Sequence, residues 1–107
     1  MFVAFVSVHK FALMERKIEQ YLVDSIKAVG GICYKFISPG NNGVPDRIVL
    51  FKGQICFIEL KDRGKHPRLL QVHEMMRIES QGFECMIIDS KEQVDMLIQK
   101  LIGGDLL

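Results

Sequence analysis

The sequence lacks three features that would each have pointed to a class of protein. It has no excess of charge, because 14 lysine and arginine residues oppose 13 aspartate and glutamate residues, and this excludes a wholly basic, histone-like nucleic-acid binder. It has no paired cysteines, since the three present are widely spaced and form no CxxC motif, which argues against a disulfide scaffold and a cysteine zinc site. It has no apolar run long enough to span a bilayer. We therefore expect an intracellular protein with reduced cysteines and no membrane association.

What the chain does contain is enough for one small globular domain. Its 107 residues are 49% apolar and 25% charged, close to the average of folded proteins. Helical periodicity begins after Met14, and the stretch before it is apolar, short and without a leading basic residue, so it is a poor signal peptide. We interpret residues 1–13 as an upstream extension and residues 14–107 as the domain. The alternation of side chains along residues 2–7 would also allow an added strand.

Hydrophobic periodicity predicts seven elements, in the order helix, three strands, helix, strand, helix. Apolar residues at helical spacing indicate the helices, and runs of branched and aromatic residues indicate the strands. Because a helix separates the third and fourth strands, these two strands can pair in parallel through a right-handed crossover. The predicted helices cover residues 15–29, 68–81 and 90–102, and the predicted strands cover residues 32–37, 47–51, 55–61 and 83–88.

A turn at Lys52-Gly53 determines how the second and third strands face each other. If the turn has two residues, Phe51 faces Gln54 and the strands pair outward from there. Two pairs of apolar residues then share one face, which we expect to face the core. The same register places Asp46 opposite Glu59, whereas a three-residue turn would make that contact diagonal. The apolar pairs are Leu50 with Ile55 and Ile48 with Phe57.

Asp46, Glu59 and Lys61 would converge at the end of this hairpin. Directly opposed residues have Cβ atoms about 4.5–5.5 Å apart, so the two carboxylates repel each other unless a divalent cation binds between them. Lys61 lies two residues after Glu59 and therefore projects from the same face. Two acids, a metal and an amine suit phosphodiester cleavage, in which the metal activates water and the lysine orients it, deprotonates it or stabilises developing charge. The alternative interpretation is an ordinary edge-strand cluster of solvated charges.

Pro45-Asp46, followed after twelve residues by Glu59-Leu60-Lys61, resembles the signature of the PD-(D/E)XK nuclease superfamily. The predicted order of elements is similar to the restriction-endonuclease-like αβββαβ core of that superfamily. This likeness implies an α/β fold with a mixed sheet and, here, an extra C-terminal helix. More narrowly, residues 43–47, residues 57–61 and Gln71 resemble the stand-alone VRR-NUC (virus-type replication-repair nuclease) domains of bacteriophages.

The resemblance implies a metal-dependent DNA endonuclease that uses Mg²⁺, with Mn²⁺ as a substitute. Such a site needs oxygen ligands for the metal, a catalytic amine and a side chain that orients the others. The implied metal ligands are Asp46, Glu59, the backbone carbonyl of Leu60 and, directly or through water, Glu15. The other implied site residues are Lys61, as the catalytic lysine, and Gln71, which orients the site or contacts DNA.

The segment that begins at Lys61 carries a local positive charge. Residues 61–68 include four lysine and arginine residues against one aspartate, and beside the proposed metal site such a loop would grip phosphate groups. A solvated surface loop is the alternative. We also expect Asn42 to contact DNA from the loop that enters the site, although Asn42-Gly43 is equally typical of a turn. The expected DNA-contacting residues are Asn42, Arg63, Lys65, His66 and Arg68.

The resemblance also implies how such a protein works. Small phage members of the family act as homodimers on branched DNA, including four-way junctions. We therefore expect a homodimer, a branched DNA substrate, and phage replication or recombination proteins as partners in the host cytoplasm. Symmetric cleavage of two strands needs two active sites, and one short chain offers one. Two alternatives stay open: a nickase or exonuclease of the same fold, and a non-catalytic nucleic-acid-binding or assembly module.

Overall fold

The predicted order of elements is confirmed by the computed structural model, which describes the backbone of residues 2–106 and the side chains of residues 14–106. Met1 and Leu107 lie outside the described residues. The predicted strands and the second and third helices each agree with the structure to within one or two residues. The elements are α1 (Phe2–Ala28), β1 (Ile32–Lys35), β2 (Arg47–Phe51), β3 (Gln54–Leu60), α2 (Leu69–Ser80), β4 (Glu84–Ile88) and α3 (Lys91–Gly103).

The four strands form one mixed sheet in the order β1-β2-β3-β4. The first three strands pair antiparallel, and β3 pairs in parallel with β4. Helix α2 connects the two parallel strands, so the predicted parallel pairing is confirmed. The predicted α/β class, with a mixed sheet and an extra C-terminal helix, is confirmed as well.

The β2–β3 hairpin has the predicted two-residue turn. Lys52 and Gly53 both have a positive φ, of 45° and 80°, which is the backbone of a type I′ turn. This turn sets the register of the hairpin, in which Phe51 lies opposite Gln54 and the apolar pairs face each other as expected.

The prediction of which hairpin face meets the main core is wrong. Val49 and Ile58 are fully buried, whereas Ile55 is 38% exposed, so the main core lies on the other side of the sheet. Both faces of the hairpin are apolar, and alternation along a strand does not reveal which face the helices will cover. The core-facing residues of these strands are Val49, Phe51, Cys56, Ile58 and Leu60.

Helices α1 and α3 cover this core face. Each helix presents an aliphatic stripe at helical spacing. The hydroxyl of Ser90 begins α3 by accepting a hydrogen bond from the Gln93 N–H at 3.3 Å, and Gly104 ends the helix in the left-handed conformation. The stripes consist of Ile18, Leu22 and Ile26 from α1 and of Val94, Leu97 and Leu101 from α3.

The opposite face of the sheet is only partly covered. Helix α2 packs against β4 and contacts the end of β3, which leaves the β1–β2 side of this face without a helix. Tyr34 is 59% exposed there. We call the α2-side surface of the first three strands the open face. Its side chains are Ile32, Tyr34, Ile48, Leu50, Ile55 and Phe57.

Helix α1 begins at Phe2, so the added strand that the alternation of residues 2–7 allowed is wrong. The interpretation of residues 1–13 as an upstream extension stays a prediction. None of the described helices combines the length and the hydropathy that crossing a bilayer requires.

Candidate active site

Asp46 lies where the loop after β1 enters β2. Its backbone carbonyl accepts a hydrogen bond from the Phe36 N–H at 2.8 Å, which extends the β1–β2 pairing. Its carboxylate Oδ2 accepts a hydrogen bond from the Leu60 N–H at 2.9 Å. The side chain of Asp46 therefore reaches across the hairpin to the end of β3. Continuing the observed register by one residue places Asp46 opposite Glu59.

Glu59 is a charged residue that is almost completely buried, with 1% of its surface exposed. Its Oε2 accepts a hydrogen bond from Gln71 Nε2 at 2.6 Å and lies 3.3 Å from Lys61 Nζ. Its second oxygen, Oε1, is buried and has no hydrogen-bond partner among the described residues. Burying a carboxylate oxygen without a partner is costly. The protein atoms alone therefore leave this site incomplete.

Gln71 holds the Glu59 carboxylate from the first turn of α2. The side-chain carbonyl of Gln71 accepts a hydrogen bond from the Arg68 N–H at 2.8 Å, and this contact directs its amide group toward Glu59. One side chain thus satisfies an N–H at the helix N-terminus and orients a buried carboxylate. The structure brings Gln71 to the carboxylate pair rather than leaving it on the surface.

Lys61 projects from the same face of the sheet as Glu59. Its backbone N–H donates to the Ile88 carbonyl at 3.0 Å, so pairing with β4 continues one residue beyond β3 and fixes the direction of the side chain. The Lys61 side chain is 19% exposed. Its amine is therefore shielded by the protein but still accessible from solvent.

Burial and the charges of neighbouring acids raise the pKa of two carboxylates of the site, Glu59 and Glu15. The pKa of Glu59 is raised to about 7, first by burial and then by the charge of Asp46, while Lys61 opposes the rise. Burial also raises the pKa of Glu15, and the charges of Asp62 and Asp46 add to this effect. The repulsion between these carboxylates would be relieved by a bound cation.

Glu15 does not complete a set of three metal-ligating side chains with Asp46 and Glu59 in this structure. Among the side chains of residues 14–106, no three histidine, cysteine, aspartate or glutamate groups are arranged to hold one ion. The carboxylates that the hairpin places opposite each other are those of Asp46 and Glu59, and Glu15 interacts with Asp46 electrostatically. A role of Glu15 through water stays a prediction.

Asp62 is a member of this acidic neighbourhood that sequence patterns miss. Its Oδ1 is buried and has no hydrogen-bond partner within residues 14–106. The charge of Asp62 raises the pKa of Glu15, and it does so more strongly than the charge of Asp46. Because Asp62 follows the last paired residues of β3, strand alternation does not place its side chain. The available signal was its position directly after Lys61.

The basic loop, residues 61–68, follows β3 directly at the site. The backbone N–H of Gly64 donates to Asp89 Oδ2 at 3.0 Å, and that of Lys65 donates to the Asp62 carbonyl at 2.9 Å. The loop is therefore an ordered turn that extends from the candidate catalytic lysine. Its predicted DNA-contacting residues, Arg63, Lys65, His66 and Arg68, are all exposed.

The loop before Asp46, residues 38–45, is held against α2. Asn41 Nδ2 donates to Glu74 Oε2 at 3.4 Å. Glu74 is itself buried, and its other oxygen lies 2.9 Å from the guanidinium of Arg77. The sequence patterns did not single out Glu74, because a glutamate on a helix surface is unremarkable until the loop packs over it.

A second contact with α2, at Gly43, holds the loop of residues 38–45 in place. Gly43 has a φ of 96°, and a Cβ atom at this position would lie 3.0 Å from the Leu70 carbonyl oxygen. Both the conformation and the close approach require glycine. Asn42, a predicted DNA-contacting residue, is exposed next to this contact. Helix α2 therefore orients Glu59 through Gln71 and also supports the loop that leads into Asp46.

The sheet topology and the carboxylate pair at the end of the central hairpin define a restriction-endonuclease-like fold. No family model matches the chain. The chain is 41% identical over 86 residues to "Putative nuclease p44" of Acyrthosiphon pisum secondary endosymbiont phage 1, and the alignment covers 79% of this chain and 92% of that protein. A solved structure described as a VRR_NUC domain superimposes with a TM-score of 0.75 at 33% identity, covering 80% of this chain and 95% of that one. The chain belongs to the VRR-NUC family of nuclease domains, as its motifs predicted.

Proposed function

We propose that the protein is a metal-dependent DNA endonuclease whose active site contains Asp46, Glu59 and Lys61. The observation that carries the proposal is the Glu59 carboxylate, which is buried opposite Asp46 and has an oxygen without a partner among the described residues. The desolvation of this oxygen, Oε1, costs stability because no hydrogen bond from the described residues compensates for it. A catalytic role explains why it is present. Membership in a family of nuclease domains supports the same chemistry.

The donor set fits a divalent cation that prefers oxygen ligands. Asp46 and Glu59 would supply carboxylate oxygens, and the Leu60 carbonyl would add a third oxygen. Mg²⁺ suits such a site because it is usually held by one or two carboxylates and keeps several waters, and Mn²⁺ accepts similar ligands. Glu15 would hold one of those waters. When bound, the ion would polarise the phosphodiester and lower the pKa of the attacking water.

Lys61 would act on the reacting groups directly. Its amine lies 3.3 Å from Glu59 Oε2, where it can orient the attacking water, accept its proton or stabilise charge that develops on the phosphoryl oxygens. Gln71 would act through Glu59, because it bonds to Oε2 and leaves Oε1 for the ligand. Gln71 is therefore a positioning residue.

The two loops at the site would hold DNA. The exposed cationic side chains of the basic loop would contact phosphates, and Asn42 would contact the substrate from the loop before Asp46. Phosphate contacts position DNA without reading its sequence. We therefore propose that the protein selects branched DNA, such as four-way junctions, by structure. We also propose that it acts as a homodimer, because symmetric cleavage of two strands needs two active sites and one chain offers one. Similarity to a phage protein supports phage replication or recombination proteins as partners in the host cytoplasm.

The test is a cleavage assay with labelled four-way junctions, flaps, duplexes and single strands, each with Mg²⁺, Mn²⁺ or a chelator. We expect metal-dependent cleavage that is fastest on a branched substrate. Lys61→Ala should lose cleavage but keep most of its DNA affinity, since the other phosphate contacts remain. Arg63→Ala combined with Lys65→Ala should instead weaken binding and flatten its salt dependence.

A matched control and two product analyses complete the assay. Lys27→Ala removes an exposed cation from the last turn of α1, at the end of the helix away from Glu15, and should cleave at the wild-type rate. Nicks without paired cuts would identify a nickase, and stepwise shortening from ends would identify an exonuclease. Binding of junctions without cleavage under any metal condition would contradict the proposal and favour a non-catalytic binding module.

A further inference from the structure

Asp89 is an acidic residue beside the basic loop that the proposed active site does not use. It directly follows Ile88, the last residue of β4, and precedes Ser90, which begins α3. Its carboxylate Oδ2 accepts a hydrogen bond from the Gly64 N–H at 3.0 Å. An acid in this position is unexpected on electrostatic grounds, because it repels the phosphates that the loop would bind. The hydrogen bond indicates a different reason for its presence.

Hydrogen bonds rather than burial hold the middle of the basic loop. Residues 63–66 are all exposed. The chain forms a tight turn here, in which the Lys65 N–H donates to the Asp62 carbonyl at 2.9 Å. Gly64, the third residue of the turn, has a φ of 78°, a conformation that favours glycine at that position. The turn is closed by its own backbone, so a contact outside the turn must determine where it lies on the domain.

Two successive residues at the end of β4 anchor the loop to the domain. The Ile88 carbonyl accepts a hydrogen bond from the Lys61 N–H at 3.0 Å. The next residue is Asp89, whose side chain holds Gly64. Asp89 is itself fixed, because its own N–H donates to Gln93 Oε1 at 2.6 Å. The turn of the loop is therefore tied to the start of α3 through one carboxylate.

Arg63 lies between these two anchors. Its side chain lines a cavity of about 210 Å³ together with Asp89 and Lys91, so close packing beneath the loop does not fix its direction. The hydrogen bonds at residues 61 and 64 set the path of the backbone on either side of it. A loop that is already ordered loses less conformational freedom when it binds a phosphate, and this raises its affinity.

We infer that Asp89 is a positioning residue for DNA binding: its carboxylate holds the basic loop in the conformation that presents Arg63 to a phosphate. The inference rests on the phosphate-contacting role of the basic loop in the proposed function. It predicts an effect of opposite sign to simple electrostatics. Removing a negative charge beside a phosphate-binding loop should strengthen DNA binding, whereas removing the anchor of the loop should weaken it.

Two substitutions separate the charge of Asp89 from its hydrogen bond. Asp89→Asn removes the charge but keeps a side-chain oxygen that can accept from the Gly64 N–H. Asp89→Ala removes both. The two variants have the same net charge, so a difference between them isolates the anchor. The affinity of the full chain for labelled four-way junctions and duplexes is measured in chelator, without divalent metal.

We expect Asp89→Asn to bind DNA at least as tightly as the wild type. Asp89→Ala should bind about 3- to 10-fold more weakly than Asp89→Asn. Its affinity should also depend less steeply on salt, because fewer phosphates are contacted at once. Amide hydrogen exchange at Gly64, measured by NMR without DNA, should be faster in Asp89→Ala than in the wild type and Asp89→Asn.

The matched control is Gln54→Ala, at the opposite end of the β2–β3 hairpin. The Gln54 side chain also bonds to backbone groups, since it donates to the Leu101 carbonyl at 2.8 Å and accepts from the Leu106 N–H at 3.3 Å. Removing these bonds should leave the DNA affinity and its salt dependence at wild-type values. Thermal melting of every variant identifies a temperature at which all of them are folded, and affinities are compared there.

Equal affinities of Asp89→Asn and Asp89→Ala, or equal exchange at Gly64, would overturn the inference. Arg63→Ala combined with Lys65→Ala distinguishes this outcome from failure of the proposed function. If that double variant binds weakly while the two Asp89 variants bind alike, the loop contacts DNA but Asp89 does not position it. If the double variant binds like the wild type, the proposed DNA contact of the loop is wrong and the inference fails with it.

Discussion

The two faces of the sheet differ in what their side chains do. On the α1/α3 face, aliphatic residues such as Leu22 and Ile58 are completely buried, and the layer is closed. On the α2 face, one end holds a buried carboxylate with an oxygen that has no hydrogen-bond partner among residues 14–106, and the other end leaves apolar side chains exposed. Stability is therefore concentrated on one face, and the features that need a ligand or a partner are concentrated on the other.

Two adjacent residues where the chain enters β2 show that the division operates from one residue to the next. Asp46 points to the α2 face and bonds the Leu60 N–H. Arg47 points to the α1 face and forms an ion pair with Glu19, at 2.9 Å from Nε to Oε2. Because side chains alternate along a strand, adjacent residues can serve opposite requirements.

The largest effect is expected on the α2 face and concerns activity. Asp46→Asn and Glu59→Gln should each reduce cleavage by about 100- to 1000-fold or more, because each removes a charge that the metal and the transition state need. Without metal, both variants should unfold at a temperature no lower than the wild type, since repulsion between the carboxylates is gone. Cleavage rates with Mg²⁺ and thermal melting in chelator check both parts. A variant that cuts at the wild-type rate would show that the site is misplaced.

The next effect is expected on the α1/α3 face and concerns stability. Leu22→Ala should lower the free energy of unfolding by about 2–5 kcal/mol, because it leaves a cavity in a closed core. Ile55→Ala on the open face should cost less than about 1 kcal/mol, because Ile55 is 38% exposed and its truncation leaves no closed cavity. Denaturant unfolding measures both values. Equal losses of unfolding free energy in the two variants would show that the two faces contribute alike to stability.

Glu59 should make the stability of the metal-free protein depend on pH. Its pKa is raised from the ordinary 4.5 to about 7 in the folded chain, so the folded state binds the proton more tightly than the unfolded state. The stabilising contribution is present in full below about pH 4.5 and is lost as the pH rises through about 7. Melting in chelator between pH 5 and pH 8 should therefore show a decline that Glu59→Gln removes. A variant that keeps the same decline would assign it to other groups.

A smaller effect is expected from the contact between Asn41 and Glu74. Asn41→Asp should weaken DNA cleavage several-fold, because two carboxylates would then face each other and displace the loop that leads into the active site. Adding Glu74→Gln should restore much of the rate, since the pair then exchanges donor and acceptor. Kinetics of the single and double variants give the coupling. If the double variant is no better than Asn41→Asp alone, the contact does not position the loop.

The smallest effect is expected from removing residues 1–13. A chain that begins at Met14 should keep its fold and its nuclease activity, because it retains the buried α1 residues Ile18, Leu22 and Ile26 and all the candidate site residues, which lie at or beyond Glu15. Thermal melting and junction cleavage of the shortened chain test this expectation. Loss of folding would show that residues 1–13 are an integral part of the domain.

The sequence by itself determined the order of the elements, the hairpin register and the candidate carboxylate pair. These features depend on local physics. Positive φ at Lys52 and Gly53 selects the turn, the turn sets the register, and the register brings Asp46 opposite Glu59. Helix caps such as Ser90 are equally local.

Only the tertiary structure decided which face of the sheet became the core. Both faces of β2 and β3 are apolar, so alternation groups Val49 with Ile58 and Ile48 with Phe57 but ranks neither pair as the more buried. The choice depends on where α1 and α3 pack, and that is a contact between residues far apart in the chain. The same long-range packing brings Gln71 to Glu59 and Glu74 to Asn41, because no local rule predicts which strand or loop a helix will cover.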